Sequence, residues 1–79
     1  MILKIISAED IVFQGEVKVV HLPGAKGAFT VLPGHAALIS TLASGEVRYT
    51  SASDGEEHKV AVGGGIVDVE SNIVSVCIY

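Results

Sequence analysis

The chain has 79 residues, which is one domain (1–79) and too few for two. Its formal net charge is −4, with five scattered basic residues, two tyrosines and two phenylalanines, so it lacks the basic stripe and stacking aromatics of a nucleic-acid-binding surface. Apolar residues make up 49% and charged residues 18%, against roughly 25% charged in ordinary globular domains, so many apolar side chains of this small domain must stay at its surface, either scattered or gathered in a patch that a partner covers.

The shortage of charge to break up such a patch favours the covered patch. The opening stretch "MILKIISAED" is interrupted by Lys4 and ended by Glu9 and Asp10, unlike a signal peptide. No segment reaches the roughly 20 apolar residues that span a bilayer. The expectation is a soluble or peripheral chain.

Valine, isoleucine and threonine dominate, and the pattern is strand throughout. Ile2 to Ser7 reads as the first strand. "IVFQG" is a short piece closed by Gly15. In "EVKVVHL", Val17 and Val19 share one face and Val20 and Leu22 the other, which predicts a bulge or a strand covered on both sides. Pro23 to Gly27 is a loop, and "AFTVL" is a strand ended by Pro33-Gly34. "HAALISTLAS" fits either two helical turns or a strand; the close brackets Pro33-Gly34 and Ser44-Gly45 favour the extended form.

In "EVRYT" the alternation turns Val47 and Tyr49 inward. Asp54-Gly55 marks a hairpin because glycine accepts positive φ, and "HKVAV" returns with His58, Val60 and Val62 on one face. Gly63-Gly64-Gly65 breaks the ladder, and "IVDVE" and "IVSVCIY" form a second hairpin around Ser71-Asn72. The fold class is all-β: a flattened sandwich or barrel of about ten short strands in two sheets.

Reactive constellations are missing. His21, His35 and His58 have no metal-ligand neighbours at zinc spacing. His21 and His58 read as partly buried imidazoles with backbone partners. His35 reads as a turn histidine bonded to the backbone or as an interface contact. Cys77, the one cysteine, lies in an apolar strand and reads as a buried inert thiol. "PGAKG" is not a phosphate loop, and "GGGIVDV" lacks dinucleotide-binding spacing, so both read as turn or bulge glycines. The neighbouring acids Glu9-Asp10 and Glu56-Glu57 point to opposite faces of a strand and make no acid-base pair. No catalytic residue, metal site, cofactor or small-molecule ligand is assigned. The profile suits a binding or structural module.

"VLPGHAALIS" resembles the proline-glycine-histidine-alanine signature of the epsilon subunit of F-type ATP synthase. "AVGGGIVDVESNIVSV" resembles that family's double-glycine segment and following strand, and "IISAEDIVFQGEV" its opening strands. The three lie in register over nearly the whole chain. The resemblance implies a ten-stranded flattened sandwich and a non-catalytic place in the central stalk of the rotor. There the domain joins the gamma subunit to the membrane c-ring, and so couples proton or sodium flow to ATP synthesis at the cytoplasmic face of a bacterial inner membrane.

By position, it implies a gamma-facing side with Ser7, His35, Ala36, Leu38 and Ser40. It implies a c-ring-facing loop of Ala25, Lys26, Gly27, Ala28 and Phe29. The family often carries an acid where Ala28 stands, and Lys26 supplies the opposite charge nearby. Family members commonly continue into a C-terminal helical hairpin; the sequence ends at Tyr79, and no inhibitory helix or ATP site is assigned to it. The alternative is a free-standing ligand-binding or self-associating β module.

Overall fold

The computed structural model describes residues 1–79. The chain forms eight strands and no helix: β1 (Ile2–Ile6), β2 (Ile11–Leu22), β3 (Phe29–Val31), β4 (Leu38–Leu42), β5 (Gly45–Ser51), β6 (Glu57–Val62), β7 (Gly65–Glu70) and β8 (Ile73–Ile78). Two layers result, both built on β2. Its first half pairs with β1, in a sheet ordered β4-β7-β8-β1-β2; its second half pairs with β3 and β5, and β6 follows β5. We call these the first and second sheets.

The all-β sandwich matches the expected class, with eight strands in place of about ten. "IVFQG" and "EVKVVHL" are one 12-residue strand. Gly15 does not end it: a Cβ there would lie 3.1 Å from the ring of Phe13, so the aromatic ring occupies the space a side chain would take. The strand then changes sheets. Its pairing with β5 shifts register between Val17 and Val19, and the extra residue bends the strand, as corners between packed sheets require. The bulge lets Val17, Val20 and Leu22 all enter the core, while Val19 is only half-buried.

The ambiguous segment is extended from Leu38 to Leu42. The two predicted hairpins are present. In the first, Gly55 has φ +70 and Tyr49 faces His58. In the second, Ser71 and Asn72 both have positive φ between the paired Glu70 and Ile73, which is the two-residue type I′ arrangement whose twist matches the strands. One pairing joins distant parts of the chain: β1 runs parallel to β8, Ile2 beside Ile73 through Ile6 beside Cys77.

Fourteen buried apolar side chains fill the space between the sheets, among them Leu3, Ile5, Val20, Val31, Val47, Val67, Val74 and Val76. Phe13 and Tyr49 pack against each other across the layers, with ring centroids 4.3 Å apart and planes tilted by 33°. No buried side-chain nitrogen or oxygen lacks a hydrogen-bond partner.

Candidate partner-binding surface

Each strand of the first sheet gives alternate residues to the core and to the outside. Cross-strand register assembles the outward ones into rows. Thr41 pairs with Ile66, Ile66 with Cys77, Cys77 with Ile6 and Ile6 with Ile11, so one apolar row crosses all five strands. Ile66 is 52% exposed and Ile11 63%. The next row is Ile39, Asp68, Ser75, Lys4 and Gln14, in which Ile39 is 75% exposed. Ile73 adds a further exposed isoleucine, between Glu70 and Ile2.

The outside of the second sheet is different in kind. His21, Arg48 and Lys59 form one row, with Thr30 beside His21; Thr50 and Glu57 form another, and Glu46 faces Ala61. Arg48 reaches Glu57 at 3.2 Å, and His21 Nδ1 lies 2.9 Å from Thr30 Oγ1. One outer face therefore carries five exposed isoleucines, with Lys4, Asp68 and Glu70 among them, and the other carries charge and no exposed isoleucine.

Cys77 belongs to the apolar row and is exposed, which corrects the expectation of a buried thiol. Val74 and Val76 take the core positions of β8, and the two-residue period turns Cys77 outward.

The residues expected to meet gamma do not form one cluster. His35 and Ala36 are exposed in the connection from β3 to β4. His35 Nδ1–H donates to the Ala36 carbonyl at 2.7 Å, and its backbone N–H donates to Leu32 at 3.1 Å. Leu38 and Ser40 are half-buried and lean toward the core side of β4, in register with Val69 and Val67; Ile39 and Thr41 are its outward residues. Ser7 sits at the other end of the sheet, in the turn after β1, where its N–H donates to the Asp10 carbonyl at 2.9 Å.

The Ala25–Phe29 loop lies at the Ser7 end, opposite His35. Ala25 N–H donates to the Thr41 carbonyl at 2.9 Å and Gly27 N–H to Gly24 at 3.0 Å. The loop closes tightly over Gly24, where a Cβ would meet the Gly27 oxygen at 2.5 Å and the Phe29 ring at 2.9 Å. Lys26 and Ala28 are exposed on it, while Phe29 is half-buried against the core.

His58 and Asp54 sit away from the apolar face. Asp54 Oδ1 accepts from the Glu56 N–H at 2.8 Å, and Oδ2 from His58 Nε2–H at 3.0 Å. The Glu56 N–H is the main cause holding the Asp54 carboxyl below its ordinary value; some loss of hydration opposes it and His58 adds to it. Burial, and secondarily the Asp54 charge, raises the Tyr49 phenol. His58 stacks on that ring at 5.3 Å. The three histidines lie apart, and no three His, Cys, Asp or Glu side chains converge as metal ligands would.

Residues 1–78 match the family described as ATP synthase, Delta/Epsilon chain, beta-sandwich domain. The chain is similar to the ATP synthase epsilon chain of Bordetella avium, at 44% identity over 72 residues, covering 91% of this chain and 50% of that one. It is 40% identical over 76 residues to the epsilon chain of Janthinobacterium sp. (strain Marseille), covering 96% and 54%. The chain thus spans about half the length of the curated relatives it matches. Its fold is similar to a chain in the Euglena gracilis mitochondrial ATP synthase structure of OSCP/F1/c-ring, with a TM-score of 0.90 and 21% identity over 99% of this chain and 49% of that chain. It is also similar to a chain of the Tetrahymena thermophila mitochondrial ATP synthase central stalk/c-ring, with a TM-score of 0.78 and 14% identity over 98% and 61%.

Proposed function

This chain belongs to the ATP synthase delta/epsilon β-sandwich family, and from that premise we propose that it is a non-catalytic part of the central stalk. It joins the gamma subunit to the membrane c-ring, and the torque of the ring passes through this joint during ATP synthesis. It sits at the cytoplasmic face of a bacterial inner membrane through the complex, without a cofactor of its own.

The observation that carries the reading is the contrast between the two outer faces. A rotor joint must hold through many turns without chemistry, which calls for a rigid surface with little polar desolvation cost. The outer row of Thr41, Ile66, Cys77, Ile6 and Ile11 stands on five hydrogen-bonded strands, so its side chains lose little backbone freedom on docking. An exposed apolar area of this kind marks an interaction site. Gamma is its occupant in this reading. Among the positions carried over from the family resemblance, His35 and Ala36 would flank that contact at one end. The Ala25–Phe29 loop at the other end would meet the ring, with Lys26 supplying the charge.

Co-expression with the gamma subunit tests the proposal. The expected result is a one-to-one complex that survives gel filtration and is weakened when His35 is replaced by alanine. A chain that ignores gamma and elutes as a homodimer by light scattering is instead the self-associating module. An H35A variant that binds gamma as tightly as the parent removes His35 from the contact.

A further inference from the structure

Leu32 to His35 is a type II turn: Pro33 presets the second position, Gly34 has φ +83 at the third, and the His35 N–H closes it on the Leu32 carbonyl. The N–H of Gly34 points out of such a turn and has no backbone partner within it. Here it donates to Asn72 Oδ1 at 3.0 Å. Asn72 lies on another hairpin, 38 residues away in sequence. Every other side-chain hydrogen bond in the molecule spans nine residues or fewer.

Asn72 is itself held. Its φ is +63, in the left-handed region that asparagine tolerates, and its carbonyl accepts from the Ile2 N–H at 3.1 Å. The side-chain oxygen is therefore presented from a fixed backbone. We propose that Asn72 is the positioning residue for the Pro33-Gly34-His35 turn, locking it to the β7–β8 hairpin so that Leu32, His35 and Ala36 meet the partner in one orientation. This rests on the reading of gamma as the partner. Sequence spacing alone gives no hint of it, since the glycine and the asparagine meet only through the fold.

Two variants of the chain separate the bond from the backbone. Asn72→Gly keeps the positive φ and deletes the acceptor; Asn72→Asp keeps the acceptor. Amide exchange by NMR should quicken at Gly34 by about fivefold in N72G, the scale of one net hydrogen bond, with Val67 and Val76 amides unchanged, and stay at the parent rate in N72D. Gamma affinity should fall by about threefold to tenfold in N72G and be kept in N72D. An unchanged Gly34 amide in N72G overturns the proposal, and so does a faster amide with full gamma affinity. If the unaltered chain fails to bind gamma, the partner reading falls, and the locking of the turn stands or falls on the Gly34 amide alone.

Discussion

Gly65 shows how one atom can decide a strand's place. Its φ is +157, and a Cβ there would collide with the Cys77 backbone carbonyl on the neighbouring strand, a group that cannot swing away. Gly55 also has positive φ, at +70, but nothing lies within 4 Å of where its Cβ would stand. The two glycines should separate in a thermal melt. Gly55→Ala should cost about 1 kcal/mol, for the backbone conformation alone. Gly65→Ala should cost roughly 3 kcal/mol and lower the midpoint by roughly 15 °C. Equal midpoints for the two variants would mean that the β7–β8 approach relaxes at no cost.

The hairpin of β5 and β6 is where titration enters. The Asp54 carboxyl is held low by the Glu56 N–H first and by His58 in addition. A folded-state value below the unfolded one gives stability that is present above the unfolded value and lost as pH falls through the folded one. Asp54→Asn keeps an acceptor for the Glu56 N–H and removes the charge. The parent chain should therefore melt slightly higher than D54N near pH 6, and the difference should vanish near pH 2. The pair is solvent-exposed, so the gap should be a few degrees at most. A gap that grows toward acid would reverse the sign and contradict the arrangement.

Elements of this kind were legible because their signals are local. Asp54-Gly55 and Ser71-Asn72 carry their turn chemistry within two residues, and Val47 and Tyr49 show their face by simple alternation. The course of β2 was not legible. Gly15 looks like a terminator until Phe13 is seen over it, and the bulge after Val17 re-aims Val20 and Leu22 into the core. The parallel pairing of β1 with β8 joins the two ends of the chain, and no window of sequence contains both.

On the scale of the whole molecule, the composition foretold a surplus of surface apolar groups but not their address. Ile66, Cys77, Ile6 and Ile11 come from four strands, and only register sets them side by side. The same register puts Arg48, Lys59 and Glu57 on the opposite outer face. A partner that docks through exposed isoleucines has one side to choose. The direct test is calorimetric titration of the gamma subunit with two charge variants, Ile66→Glu on the apolar face and Lys59→Glu on the charged one. Burying an unpaired carboxylate in an apolar contact should weaken I66E by roughly 30-fold or more, with an unchanged melting curve, while K59E stays within about twofold of the parent. Equal affinities for I66E and the parent would contradict the account, because gamma would then be held somewhere other than the isoleucine row.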